Sequence, residues 1–260
     1  MILLLVPVLM LAACGKSEDP APGPETGKII FQFHHYCDGT PLDYDIRKYV
    51  NEAGNEYMVN EIQYFISDVK LHRDAQTVMI GEWKDIHYVD SDMPSTQEWV
   101  VYDKIPAGQY NSISFTFGIN GEKNQSLMYT DPPESLMFWP EYLGGGYHYM
   151  KLNGKWLDTT GLERPYNFHL GIGQVYDPGT GDITGFIQNY FEIEVINSSF
   201  IVEKDRVTTI ELVMHVDRWF SNPNTYNHDE WGGDIMQKQE AMKLGCENGW
   251  NVFEVLGVEF

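Results

Sequence analysis

One stretch of strict alternation constrains the fold of this chain more than any other feature. Residues 113–119 read Ile-Ser-Phe-Thr-Phe-Gly-Ile, so large apolar side chains alternate with small or polar ones. A period of two places the apolar side chains on one face of an extended chain, whereas a helix would scatter them around its axis. The segment therefore predicts a β-strand with one face in a hydrophobic core.

Similar strand-like segments recur along the chain, rich in β-branched and aromatic residues and separated by turn residues. They lie at residues 28–35, 49–59, 77–83, 86–89, 98–110, 186–195, 199–202 and 208–216. Residues 61–72 fit a helix or a strand by periodicity, and their aromatic and β-branched content favours a strand. One helix is expected, over residues 234–243, with Asp234 as its N-cap and Gly245 after its end.

These patterns predict an all-β fold, a single-domain antiparallel β-sandwich with long loops and a short C-terminal helix. The length of 260 residues is ample for such a core. Composition does not change after residue 28 and no internal repeat is visible, so residues 28–260 are assigned to one domain. Residues 121–136 are polar and predict a long loop, and long loops in compact domains are often functional.

The N-terminus predicts a lipoprotein signal. Residues 1–13 form an apolar run that is too short to span a bilayer, and the run ends in Leu-Ala-Ala before Cys14. This ending resembles the lipobox of bacterial lipoproteins, in which the cysteine is lipidated, and the acidic residues that follow resemble the surface-export signal of Bacteroidetes lipoproteins. Residues 15–27 predict a flexible tether. We expect a lipid-anchored protein of the outer membrane, periplasmic or surface-exposed.

The charge of the chain excludes one class of partner. With 38 acidic and 17 basic residues, the net charge is −21, and such a protein repels the phosphates of nucleic acids. The acidic residues are spread along the chain rather than confined to a tail, which is typical of a solvated surface.

The window of residues 137–174 is the strongest candidate for a functional site. It combines Trp139, three consecutive glycines at positions 144–146, His148 and His169 among many aromatic residues. No other window holds ligand-type side chains, rings and conformationally free glycines so densely. The glycines lack the Lys-Ser/Thr that follows a phosphate-binding loop, so they predict a turn rather than a phosphate site.

Four histidines lie on predicted strands, at His34, His148, His169 and His215. Imidazole nitrogen suits copper or zinc, and rigid strands hold such ligands in place. The four histidines are therefore the candidate metal ligands, although each alone also fits a structural role. His72, His87 and His228 are assigned to the periphery.

Two cysteines remain after Cys14. Cys37 and Cys246 can pair in an oxidising envelope, but the sequence gives no distance between them. A disulfide and two buried thiols both stay open, and the wide separation argues against a metal or redox motif.

No familiar enzyme signature is present: the sequence lacks GxSxG, HExxH, a P-loop and a GxGxxG after a strand. We therefore expect a non-enzymatic binding protein, while a long-range pairing of His with Asp stays open. An alternative hypothesis is a surface module for glycan or protein. Its stacking platform would consist of Trp139, Tyr142, Tyr147 and Trp156.

Several ordered motifs resemble one family. The strings are MFWPEYLGGGYHYMKLNG from residue 137, YNFHLGIGQ from 166, GGDIMQKQEAM from 232 and NGWNVFEV from 248. Together with YFISDVKL from residue 64 and FGIN from 117, they resemble the MbnP-like proteins over about residues 28 to 258.

The resemblance implies a β-sandwich envelope protein that binds a single copper ion through histidines. It also implies a tryptophan that is oxidised to kynurenine by a dihaem partner of the bacterial cytochrome c peroxidase type. His169 matches the family motif best, and Trp139 matches the motif tryptophan, with Tyr147 lining the site. His148 follows Tyr147 where methanotroph-type members often carry a different residue, and His34 and His215 are placed by strand phase alone.

Overall fold

Two β-sheets pack face to face around an aromatic core in the computed structural model, which describes residues 23–74, 76–82 and 85–260. The strands in chain order are β1 (Thr26–Cys37), β2 (Thr40–Pro41), β3 (Tyr49–Val50), β4 (Glu56–Arg73), β5 (Gln76–Met79), β6 (Ile86–Asp90), β7 (Glu98–Val100), β8 (Ile105–Pro106), β9 (Gly108–Tyr110), β10 (Ser112–Phe117), β11 (Met150–Leu157), β12 (Glu163–Leu170), β13 (Gly173–Tyr176), β14 (Ile183–Ile187), β15 (Phe191–Glu194), β16 (Phe200–Val202), β17 (Val207–His215) and β18 (Phe253–Glu259). The α-helices are α1 (His228–Trp231) and α2 (Gln239–Asn248).

The first sheet has the order β18-β17-β1-β2, and β7 and β8 also pair with β1. The second sheet has the order β12-β11-β4-β10-β15, and β3, β5 and β6 also pair with β4. Within both sheets the pairings are antiparallel except that of β1 with β17, which is parallel. The predicted all-β sandwich with a short C-terminal helix is confirmed.

Alternation determines which residues form the core. The four apolar residues of the 113–119 stretch are all buried, and so are Phe31 and Phe33 on β1. Phe253 of β18 joins the two sheets, because its ring centroid lies 5.8 Å from that of Tyr64 and 5.1 Å from that of Phe115. Because both inner faces carry aromatic rings, ring-to-ring contacts join the two sheets.

The ambiguous segment at residues 61–72 lies within β4, an 18-residue strand at the centre of the second sheet. The expected strand at 186–195 is divided into β14 and β15, because residues 188–190 leave the strand conformation between them. Tertiary pairing settles both cases, since β4 has neighbours on both sides whereas β14 and β15 pair with different strands.

The expected helix at residues 234–243 is wrong in its position, because α2 covers Gln239–Asn248. Asp234 does not cap it; Asp234 instead forms an isolated β-bridge with Asn167 of β12. Gly245 lies inside the helix rather than after it, where a Cβ atom would stand 2.5 Å from the Phe168 ring. The close packing of helix on sheet, rather than helix termination, therefore explains this glycine.

The predicted signal segment, Cys14 and the first part of the tether fall outside the described residues. Strand β1 begins at Thr26, within the predicted tether. Among the described residues, no helix has both the length and the apolar character needed to cross a bilayer.

A long loop connects β10 to β11 and covers the outer face of the second sheet. Two short 3₁₀ turns, Glu134–Met137 and Glu141–Leu143, lie within it. Its start is fixed by Lys123, which forms ion pairs with Asp68 and Asp85. This loop carries Trp139 and leads to His148.

Phe253→Ala is expected to destabilise the fold by about 3–5 kcal/mol, because it leaves a cavity between the sheets. Phe260→Ala is the matched control, because Phe260 is exposed, and its effect is expected to stay below about 0.5 kcal/mol. Urea unfolding measures both. Equal effects of the two substitutions would contradict the placement of Phe253 in the core.

Candidate metal centre

His169 lies on the outer face of the second sheet, beneath the long loop. Its neighbours on β12, Phe168 and Leu170, are buried in the core, so alternation directs His169 to the opposite side. In the antiparallel pairing with β11, His169 is directly opposite Lys151. The Lys151 Nζ donates a hydrogen bond to the Leu136 carbonyl at 2.7 Å and so ties the loop to the sheet.

His148 lies where the loop enters β11 and is held by one carbonyl group. The backbone N–H of His148 donates to the Met137 oxygen at 2.6 Å, and His148 Nδ1 lies 3.0 Å from the same oxygen. A carbonyl oxygen only accepts, so Nδ1 carries the proton in this contact. Nε2 of the neutral ring therefore carries the lone pair.

The tautomer of His169 follows from its neighbour Asn153. The Nδ2 of Asn153 donates to Glu61 Oε2 at 3.1 Å, and a carboxylate can only accept, so Asn153 Oδ1 faces the other way. That oxygen lies 2.8 Å from His169 Nε2, which must therefore carry the proton. His169 Nδ1 holds the lone pair, and it is buried with no hydrogen-bond partner in the described structure.

The two imidazoles form a pair whose ring centroids are 5.1 Å apart with an interplanar angle of 84°. Burial, together with the positive charge of Lys151, lowers the pKa of His169 to about 3. Burial, together with charge on His169 and Lys151, also lowers the pKa of His148 well below its ordinary value. Both rings are therefore neutral near pH 7, the form that binds a metal ion.

Trp139 packs directly against the pair. It is 1% exposed, and its ring centroid lies 4.7 Å from that of His148 in an edge-to-face arrangement. The indole Nε1 donates to the Leu143 carbonyl at 3.2 Å. Gly171 makes room for the ring, since a Cβ atom at that position would lie 2.6 Å from it.

Tyr147 is fully buried and supports the loop rather than facing the histidines. Its hydroxyl accepts from the Tyr129 N–H at 2.6 Å and donates to the Tyr129 carbonyl at 2.9 Å.

The glycine triplet turns the loop back toward the sheet. Gly144, Gly145 and Gly146 have φ values of 121°, 68° and 77°, which residues other than glycine rarely adopt. The Gly146 carbonyl accepts from the Trp139 N–H at 2.8 Å, so the turn brings Trp139 and His148 together.

The structure does not bring His34 and His215 to this pair. Both lie on the outer face of the first sheet, and His215 Nε2 is 3.2 Å from Glu254 Oε2. The expected four-histidine set is therefore wrong: strand phase gave the correct face of each strand, but the outer faces of two different sheets lie on opposite sides of the sandwich.

Among the described residues, no three His, Cys, Asp or Glu side chains lie close enough to share a metal ion. The donors that His148 and His169 offer nevertheless fit copper, because one nitrogen of each ring faces an oxygen acceptor and His169 Nδ1 has no partner in the described structure.

The two remaining cysteines do not pair. Both are free thiols: Cys37 Sγ lies 3.3 Å from the Tyr57 hydroxyl, and Cys246 Sγ lies 3.3 Å from the Asn189 carbonyl oxygen. The disulfide alternative is therefore wrong in this structure, because β1 and α2 place the two thiols in separate environments.

The proposed stacking platform is not formed. Trp139, Tyr147 and Trp156 are 1%, 0% and 5% exposed, whereas Tyr142 alone is open to solvent at 68%. A flat aromatic surface for a sugar ring needs several exposed rings, and here three of the four fill the interior.

Two buried histidines were not singled out from the sequence. His228, assigned above to the periphery, is fully buried among aromatic rings, and both of its ring nitrogens lack a partner within the described structure. His35 is buried beside Tyr44, whose hydroxyl lies 2.9 Å from His35 Nδ1, and burial lowers its pKa to about 4. The alternation of β1 identifies His35 as core-facing, whereas no local pattern marks His228.

Comparison with known proteins agrees with the motif resemblance. The family model of MbnP matches residues 26–237. Among solved structures, MbnP from Methylosinus trichosporium is similar, with 14% sequence identity and a TM-score of 0.48, covering 73% of this chain and 76% of that chain. No curated protein matches.

His228 predicts a pH-dependent stability. Burial lowers its pKa from 6.5 to about 3, so the stability present above pH 6.5 is lost as the pH falls toward 3. Between about pH 6.5 and pH 4, the unfolding free energy of wild type should fall by on the order of 2–3 kcal/mol more than that of His228→Phe. If the unfolding free energies of wild type and His228→Phe fell equally with pH, the buried neutral imidazole would be contradicted.

Alkylation tests the free thiols. Protein lacking the first 22 residues, unfolded without reductant, should take up one alkyl group at Cys37 and one at Cys246, as read by peptide mass spectrometry. Labelling that appears only after reduction would contradict the two separate thiols.

Proposed function

The chain belongs to the MbnP family, and we propose that it is a non-enzymatic envelope protein that binds copper through His148 and His169. The observation that carries the proposal is the buried Nδ1 of His169, which has no hydrogen-bond partner in the described structure while Nε2 is paired with Asn153. Leaving a buried polar atom unpaired costs about 1–3 kcal/mol, and a ligand at that atom relieves the cost.

The arrangement of donors supports copper. Metal-binding histidines ordinarily donate their second ring N–H to an oxygen acceptor, and both rings here do so, His148 to the Met137 carbonyl and His169 to Asn153. Two neutral imidazoles suit copper, and the remaining positions of the ion would fall to solvent or to other groups. The Met137 carbonyl holds the His148 ring and the Asn153 side chain holds the His169 ring. The loop with Trp139 shields one side of the pair from water.

Trp139 is our candidate for oxidative modification. Its ring edge touches His148, and it lies in the motif where the family resemblance implies a kynurenine. The oxidant would be a dihaem protein of the cytochrome c peroxidase type, as that resemblance also implies. Tryptic peptides that span Trp139, from protein made in its native host, should carry the mass of an oxidised indole; an unmodified peptide would contradict this part of the proposal.

The lipobox-like sequence at Cys14 supports attachment to the outer membrane through lipid. Metabolic labelling with a fatty acid should mark the wild-type chain and not Cys14→Ser. Equal labelling of both would contradict an anchor at Cys14.

Copper loading tests the central proposal. After cuprous ion is added and excess is removed, wild-type protein should retain about one copper per chain, and His148→Ala and His169→Ala should each lose most of it. His72→Ala, on the outer face of β4 away from the pair, is the matched control and should load normally. Wild type that retains no copper, or variants that retain as much, would contradict the proposal.

A further inference from the structure

Polar side chains cross four strands of the second sheet on the face beneath the long loop. In the strand pairings, Asp90 on β6 is opposite Gln63 on β4, Gln63 is opposite Lys151 on β11, and Lys151 is opposite His169 on β12. The neighbouring row places Glu61 opposite Asn153. Gln63 and Asp90 are buried, whereas Glu61, Lys151, Asn153 and His169 are partly exposed. The buried polar groups need partners within the protein.

Hydrogen bonds link these side chains into one relay that ends at His169. From the histidine, Nε2 contacts Asn153 Oδ1 at 2.8 Å, and Asn153 Nδ2 donates to Glu61 Oε2 at 3.1 Å. The other carboxylate oxygen, Oε1, accepts from Gln63 Nε2 at 2.7 Å. The same Gln63 nitrogen donates its second proton to Asp90 Oδ2 at 3.1 Å.

The polarity of the relay is fixed at its far end. Asp90 Oδ2 also accepts from the Tyr88 hydroxyl at 2.7 Å, and Asp90 Oδ1 accepts from the Asp92 N–H at 2.8 Å. Because this carboxylate only accepts, Gln63 must present its NH₂ group to it, and the same NH₂ group faces Glu61. Neither amide in the relay can turn over without placing two donors or two acceptors against each other.

We propose that Glu61 is a positioning residue for the metal centre: through Asn153 it keeps the proton of His169 on Nε2 and the lone pair on Nδ1. The inference rests on the proposed function only in assigning His169 to copper; the tautomer itself is a property of the metal-free protein. Glu61 acts two side chains away from the ligand and touches neither histidine. The family motifs at residues 137–154 and 166–174 do not include it.

Glu61→Gln should reverse the end of the relay. The amide oxygen that this substitution introduces would stay on the Gln63 NH₂, so the introduced NH₂ group would face Asn153 and meet its NH₂ group. Asn153 would then turn over and present NH₂ to His169 Nε2. That nitrogen would have to accept, the proton would move to Nδ1, and the lone pair would leave the ligand position.

The double variant Glu61→Gln with Asn153→Asp should restore the original tautomer. The introduced amide at position 61 would donate to one oxygen of the new carboxylate, and the other oxygen would accept from His169 Nε2. This rescue separates polarity from shape, because the double variant keeps the size of both side chains and reverses only which one donates.

The direct test is the ¹⁵N chemical shifts of His169 in metal-free protein labelled at histidine, recorded near neutral pH. Wild type, the double variant and the control Glu56→Gln should show the proton on Nε2. Glu56 lies on the same strand, is exposed and is outside the relay. Glu61→Gln should show it on Nδ1. A proton that stays on Nε2 in folded Glu61→Gln, or on Nδ1 in wild type, would overturn the inference.

Copper affinity gives the second readout. Glu61→Gln should weaken binding by about 10- to 100-fold, and the double variant should recover most of the loss. If the tautomer moves as expected but wild type retains no copper, the proposed function fails while the relay stands. If wild type binds copper and Glu61→Gln changes neither tautomer nor affinity, the relay fails while the proposed function stands. Melting temperatures of all four proteins verify that each is folded.

Discussion

The packing of the 118–149 loop on the outer face of the second sheet is the contact on which the site depends. It buries a face of the sheet that would otherwise be solvated, and it brings Trp139 and His148 over His169. Polar groups that the loop and the sheet shield from water need partners within the protein. The hydrogen-bonded relay from His169 to Asp90 meets this need. The exception on this face is Nδ1 of His169, which has no hydrogen-bond partner in the described structure.

Burial also keeps two histidines in the form that the proposed copper site requires. Desolvation disfavours the charged ring, so both imidazoles are neutral, and a fixed acceptor on one nitrogen of each determines which nitrogen stays open. His228 shares the burial but has no acceptor on either nitrogen among the described residues, and it is surrounded by rings instead of polar groups. Burial alone therefore does not distinguish a ligand from a core histidine; the pattern of acceptors does.

The sequence predicts the strands well where alternation is strict, as in 113–119. Histidines, tryptophan and glycines are dense in the 137–174 window, and the structure brings Trp139, His148 and His169 of that window into contact. It fails where tertiary pairing decides. Strand phase assigns His34 and His215 to outer faces but cannot say which sheet each strand joins. Asn153 and Glu61 are separated by 92 residues and meet only through the register of β4 with β11. The helix was predicted to begin too early because Asp234 itself bridges to Asn167 of β12 instead of capping a helix.

The most direct measurement is a crystal structure of the copper-loaded protein with anomalous diffraction recorded at the copper absorption edge. We expect one strong anomalous peak within bonding distance of both His148 Nε2 and His169 Nδ1, with His169 Nε2 still hydrogen-bonded to Asn153. A peak at His34 or His215, or a peak bonded to the opposite nitrogen of either ring, would contradict it.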